Sequence, residues 1–162
     1  MRVKDVMMRT PVSCRPETNV GAAVEMMWFR NCGMLPVVNA EDRVIGVVTD
    51  RDICIALGTR NRLPGEVTVG EVSPGKLFSS KPNDEVQAAL AVMAQTKVRR
   101  LPVINEEGKL EGILSMDDVV RHAEPGILGK VSELSYDDVV NTLKKVYQLQ
   151  FPVSVREKAA AA

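Results

Sequence analysis

From Asn19 to Asn31 the chain reads NVGAAVEMMWFRN, with apolar residues at Val20, Ala23, Val24, Met27 and Trp28, the spacing of one helix face. The same period runs through DEVQAALAVMAQTKV, from Asp84 to Val98. Thr18 and Asn83 stand as N-caps, and Pro16 and Pro82 lie just outside, so each stretch predicts a helix. The period then shortens. MLPVVN at 34–39 and RLPVIN at 100–105 are β-rich runs closed by the turn signals NAEDR and NEEGK. VIGVVT and LEGILS follow, and each pair of runs predicts a hairpin. A second helix is predicted from Asp50 and from Met116, and a short strand near Val12 and near Phe78 ahead of the first helix. This is an α/β order of the α+β kind, in which a small sheet takes helices on at least one face.

The order occurs twice because the sequence repeats. Sliding the chain by 66 residues aligns Val3–Leu57 with Val69–Ala123 without a gap. VKDVM meets VGEVS, SCRPETNV meets SSKPNDEV, MLPVVN meets RLPVIN, and Gly46 meets Gly112. A unit of roughly 55 to 60 residues is marginal alone, so the two copies are expected to pack face to face. Residues 1–57 and 69–123 are the repeats, and 58–68, GTRNRLPGEVT, is the linker, marked by Gly58, Pro64 and Gly65, with Arg60 and Arg62 in solvent. Residues 124–162 continue past the repeat. EPG breaks the chain there, and 135–148 predicts a helix with a Ser135–Asp138 cap and a stripe of Val139, Leu143 and Val146. The stripe needs a partner, either the pair's own surface, a second copy or an effector protein. The terminal KAAAA carries no structural signal.

Composition removes several function classes. Lys+Arg and Asp+Glu number 21 each, without a polybasic run, and aromatics are 4%, which argues against nucleic-acid binding. Apolar runs stop at strand length, and no leader pattern opens the chain, so a cytoplasmic protein with no membrane segment is expected. Cys14, Cys32 and Cys54 are odd in number and lack C-x-x-C spacing; their repeat partners Ser80, Val98 and Val120 are small or apolar, as for buried packing thiols. The single histidine, His122, aligns with Ala56. No nucleophile–base pair or ligand spacing stands out, so neither catalytic residues, a metal site nor a required cofactor is expected.

One motif carries chemistry. GVVTDRDI places Thr49 and Asp52, and GILSMDDV places Ser115 and Asp118, at the start of a predicted helix. A capping box explains T-x-x-D by itself: the hydroxyl accepts from the third N–H, and the carboxylate reaches back. Taken together, the V-x-D/E-V-M/S openings, the x-L-P-V-V/I-N turns and the G-h-h-T/S-x-x-D endings, repeated at one spacing over 1–123, resemble tandem CBS domains.

The resemblance implies two pseudo-symmetric units packed into a disc, with inter-repeat clefts that hold adenosine-type ligands, and commonly a dimer of such pairs. Asp would accept from the ribose hydroxyls, Thr or Ser would orient ribose and phosphate, the helix start would favour a phosphate, and the turns would meet the adenine edge, with Leu35 and Leu101 as walls. The first site would combine Thr49, Arg51 and Asp52 with Leu77, Ser79 and Ser80 of a short strand and with Arg99, Arg100, Leu101 and Pro102. The second would combine Ser115 and Asp118, beside Asp117, with Thr10, Pro11 and Val12 and with Gly33, Met34, Leu35 and Pro36. Arg51, Arg99 and Arg100 would make the first cleft cationic, and Asp117 would leave the second poor in phosphate. A sensor of AMP, ADP or ATP is expected, with Mg²⁺ as an accompanying ion and a separate effector protein as partner. Homodimerisation through the Met-rich helices that carry Trp28 and Phe29 is expected too. A scaffold with degenerate sites, or a binder of S-adenosylmethionine or NAD, is the alternative.

Overall fold

Residues 1–126 and 132–148 are described by the computed structural model of the chain, so the terminal tail lies outside the described residues. The first repeat forms α1 (Val3–Val6), β1 (Met8–Arg9), α2 (Val20–Phe29), β2 (Met34–Val38), β3 (Val44–Thr49) and α3 (Asp50–Arg60). The second forms α4 (Val69–Val72), α5 (Val86–Thr96), β4 (Arg100–Ile104), β5 (Leu110–Ser115) and α6 (Met116–His122), each starting 66 residues after its counterpart. β2 and β3 pair antiparallel with Met34 opposite Thr49, and β4 and β5 with Arg100 opposite Ser115. Both ladders slip once, at Val37/Val38 and at Val103/Ile104, so even the bulge is repeated. The fold is two small sheets with helices, as the residue pattern predicts.

The short strands expected near Val12 and Phe78 are not strands. Each segment makes one parallel bridge, Cys14 to Val37 and Ser80 to Val103. Pro11 and Pro16 bracket the first and Pro74 and Pro82 the second, and a proline offers no N–H to a ladder. Met8 and Arg9 of β1 do add to β5, opposite Ile113 and Gly112. Their counterparts are Pro74 and Gly75, the latter at φ +69°, which explains why the second repeat has no equivalent of β1.

The helix starts also differ from the reading of Thr18 and Asn83 as caps. Asn19 caps α2 by accepting from Ala22 N at 2.9 Å, and Glu85 precedes α5 without a side-chain cap. Asn19 and Glu85 are held extended by bridges to Thr68 and Arg2, which delays both helices. Thr18 accepts from Arg15 N instead, and Asn83 holds Arg2 and Lys4.

These contacts belong to a reciprocal exchange. Val3 and Lys4 donate backbone N–H groups to Asp84 O and Pro82 O, and Val69 and Gly70 donate to Thr18 O and Pro16 O. Val67 and Val69 complete the core of Val20, Ala23, Met27, Leu35, Val37, Val48 and Ile53. Val3 and Val6 complete the core of Val86, Leu90, Met93, Leu101, Leu114 and Val119. Each packed unit therefore carries the first helix of the other repeat.

The linker is more fixed than its composition suggests. α3 ends at Asn61 in the left-handed region, Pro64–Glu66 make a 3₁₀ turn, and Val67 is fully buried. Arg62 pairs with Glu71 at 2.7 Å and Arg60 donates to Glu71 O, so neither is merely solvated. The Thr68 N–H, and then Arg62, hold the Glu71 carboxyl below its ordinary value. Beyond the repeats, α7 (Tyr136–Val146) is capped by Ser135 and Asp138. It packs on α5 and α6, with Leu134, Val139 and Val146 in the second core, so its stripe covers the chain's own surface. No described helix is long and apolar enough to cross a membrane.

Candidate functional site

Both T/S-x-x-D motifs close capping boxes, as helix chemistry requires. Asp52 Oδ2 accepts from Thr49 N at 3.0 Å and Thr49 Oγ1 at 2.6 Å, while Asp52 N donates back to Thr49 Oγ1 at 3.2 Å. Asp118 Oδ2 accepts from Ser115 N at 2.9 Å and from the Ser115 hydroxyl, with the same return bond. Capping uses one carboxylate oxygen of each aspartate. The other oxygen of Asp118, Oδ1, takes Arg121 Nη2 at 3.3 Å.

Asp118 opens onto a cavity of about 410 Å³ between the two units. This falls within the range of small-molecule pockets. Met8, Val12, Met34 and Ile113 give it apolar walls, and Thr10, Asn31, Cys32 and Ser115 add polar groups. Its charged lining is Arg9, Arg30, Arg100 and Arg121 against Asp117 and Asp118. Four guanidiniums facing two carboxylates leave the site cationic, which favours a ligand carrying phosphate or carboxylate.

The residues expected to share this second cleft divide. Thr10, Val12, Met34, Ser115 and Asp118 line the cavity. Pro11 and Gly33 are half-buried beside it in sequence, whereas Leu35 and Pro36 are buried in β2. Leu35 and its counterpart Leu101 are fully enclosed in the two cores, so neither is an adenine wall. The expectation is of a second cleft that is not cationic and that Asp117 leaves poor in phosphate; the lining instead holds four arginines beside Asp117 and Asp118.

The arginines expected in the first cleft also separate. Arg100 pairs across β4–β5 with Ser115, and this register brings it to the Asp118 cavity. Arg99 turns to α7's end, its guanidinium 5.8 Å from the Tyr147 ring centre and donating to Tyr147 OH at 3.2 Å. Arg51 is exposed, Thr49 and Leu77 are half-buried, and Ser79 is exposed. Ser80 is buried, donating to Asp84 Oδ2 at 2.9 Å, and Pro102 O accepts from Ser80 N, so both serve the second core.

Arg9, Arg30 and Arg121 were missed because their repeat counterparts are Gly75, Thr96 and Ile55, which carry no charge. A signal was nevertheless present. Arg9 adjoins Thr10, Arg30 stands three residues before Gly33, and Arg121 lies one turn beyond Asp118. The thiols are not uniformly buried either. Cys14 is enclosed, and burial pushes its pKa up to about 11; Cys32 borders the cavity, and Cys54 is exposed on α3. Among the described residues, no group of three or more His, Cys, Asp or Glu side chains is placed to hold a metal ion.

Comparison with known proteins gives one family. The CBS domain profile matches residues 3–59 and 69–124. Hypoxic response protein 1 of Mycobacterium tuberculosis is 35% identical over 116 residues, 71% of this chain and 80% of that protein. A crystal structure of Hypoxic Response Protein I with two coordinated zinc ions is similar at TM-score 0.70 and 31% identity, over 76% of this chain and all of that one. An uncharacterized Methanopyrus kandleri protein, MK0525, is 30% identical over 130 residues, 80% of this chain, which spans 63% of that protein's length. The structure of CBSX2 in complex with AMP is similar at TM-score 0.65 and 28% identity, covering 74% of this chain and 93% of that one.

Proposed function

The chain belongs to the CBS domain family, and from that premise we propose that it is a regulatory module that binds an adenine nucleotide between its two units and passes the bound state to a separate protein. One observation carries the reading: Asp118 and four arginines share a cavity of about 410 Å³ with apolar walls. A nucleotide divides in the same way. Its base is flat and apolar on its faces, its ribose offers two hydroxyl donors, and its phosphate is anionic. Val12, Met34 and Ile113 suit the base. Asp118 Oδ1 accepts from ribose when Arg121 is drawn to the phosphate, so ligand entry exchanges one ion pair for two charge-assisted interactions. Arg9, Arg30 and Arg100 complete the phosphate's surroundings. The AMP complex of CBSX2 supports the ligand class. In this reading the Asp118 cleft is the nucleotide site, and the Asp52 cleft, which lacks counterparts of Arg9, Arg30 and Arg121, is the weaker one.

Thermal unfolding with AMP, ADP, ATP and adenosine, with and without Mg²⁺, tests the reading. A nucleotide at about 100 times its Kd stabilises the folded state by roughly 2.7 kcal/mol. A phosphate-bearing ligand is expected to raise Tm more than adenosine does. No shift with any of them, together with no nucleotide released on denaturing the purified protein, would contradict it.

A further inference from the structure

A carboxylate offers about four acceptor sites, and the bonds that Asp118 makes within its own helix turn occupy most of them. Oδ2 takes Ser115 N and the Ser115 hydroxyl in the capping box, and Oδ1 takes Arg121 Nη2 at 3.3 Å. Arg121 is steadied over the same turn by its Nε, which donates to Asp117 O at 3.2 Å. Its side chain is 71% exposed, above a carboxylate that is 11% exposed. About one acceptor site is left, whereas a ribose presents two hydroxyl donors. The first repeat is built otherwise. Asp52 closes the same capping box through Oδ2, but Ile55 stands at the place of Arg121, and among the described residues nothing donates to Asp52 Oδ1.

We infer that Arg121, in a cavity that takes a nucleotide as proposed, is a specificity-determining residue: it guards Asp118 against ribosides that carry no anion and yields to those that bring a phosphate within its reach. Adenosine and AMP offer the same pair of hydroxyls, and either must lift Arg121 away for both to bond to Asp118. For adenosine the broken ion pair is a net loss. For AMP the guanidinium passes from a carboxylate to a phosphate, and an exposed side chain gives up little packing in the swing. An exposed Arg–Asp pair is weak, so the guard changes affinity only a few-fold. The bond to phosphate is stronger, being charge-assisted and open to bidentate geometry. Arg121 therefore acts with opposite sign on the two ligands. Arg9 shares the cavity but donates to Lys4 O at 3.2 Å, so it attracts phosphate without covering the ribose acceptor.

The opposite signs are the test, because a damaged fold lowers both affinities. Adenosine and AMP are titrated by calorimetry into the full chain and into Arg121→Gln, with Tm checked for each protein. Arg121→Gln should bind adenosine about two- to fivefold more tightly than the wild type and AMP at least fivefold more weakly. The gain should vanish in Asp118→Asn protein, where adding Arg121→Gln leaves adenosine affinity where it was. Arg9→Gln should weaken AMP without strengthening adenosine. AMP binding to the wild type with no gain for adenosine in Arg121→Gln removes the guard and leaves the nucleotide site standing. A gain that persists without Asp118, or that Arg9→Gln reproduces, assigns the effect to the general charge of the cavity and overturns the inference. Failure of AMP to bind the wild type removes the nucleotide site and the guard together.

Discussion

Val3 donates its backbone N–H to Asp84 O at 2.9 Å, and its repeat partner Val69 donates to Thr18 O at 2.8 Å. Both side chains are fully buried in the core of the opposite unit. Truncation of Val3 should therefore loosen the second unit, although the residue belongs to the first repeat. Val3→Ala is expected to cost about 1–3 kcal/mol. Hydrogen exchange should accelerate first in α5 and β4, because local openings follow packing rather than sequence order. For Val69→Ala the loss should appear in α2 and β2. Selective deprotection of α2 by Val3→Ala would show that the exchange of helices does not govern stability.

Asp118 and Asp52 carry the same capping bonds, so their substitution separates capping from ligand binding. Asp118→Asn keeps a carbonyl acceptor for the cap, loses the charge that faces the cavity and releases Arg121. AMP affinity measured by calorimetry should fall tenfold or more. Asp52→Asn should change it by less than about threefold, the reverse of the order that the resemblance implies. Equal losses from the two variants, in protein with unchanged Tm, would remove the preference for the Asp118 cleft.

The fold was legible because its signals are local. The 3.6 and 2.0 periods placed α2, α5 and both hairpins, and the 66-residue offset tied each element to a counterpart. The exchange of α1 and α4 left no such signal, since VKDV and VGEV have the same pattern whichever core they enter. In the candidate site, the motif showed Ser115 and Asp118 but not their neighbours. The resemblance puts Arg100 in the first cleft, while the β4–β5 register sets it opposite Ser115 and in the lining of the Asp118 cavity. Arg9, Arg30 and Arg121 stand where the other repeat has no charge, so comparing the copies drew attention away from them.

Cys14 links burial to alkaline stability. Its pKa rises from an ordinary value of 9.0 to about 11, because burial disfavours the thiolate. Below about pH 9 the thiol is protonated in both states and adds no pH dependence. Between about pH 9 and 11 the unfolded chain ionises and the folded one does not, so stability falls as pH rises, by about 2–3 kcal/mol across the window. Cys14→Val should flatten that part of a Tm–pH curve. In the native protein a thiol reagent should label Cys54 rapidly and Cys14 only at the rate of unfolding; equally fast labelling of both would contradict the burial.

Arg99 and Arg100 are adjacent in sequence, but the structure gives them different partners, and under the proposed function only Arg100 would meet a phosphate. Arg100 lines the Asp118 cavity, while Arg99 contacts Tyr147. A guanidinium on a phosphate contributes roughly 1.5–3 kcal/mol. This corresponds to about a ten- to hundredfold preference for AMP over adenosine. Arg100→Glu should cut that preference at least tenfold, with Arg9, Arg30 and Arg121 still in place, while leaving adenosine affinity nearly unchanged, since the proposed ribose contact belongs to Asp118. Arg99→Glu should leave the preference intact and instead lower Tm slightly by releasing the end of α7. Raising salt should weaken AMP and not adenosine, most strongly where the site is open to screening ions. If Arg99→Glu lowers the preference and Arg100→Glu does not, the phosphate lies outside the Asp118 cavity.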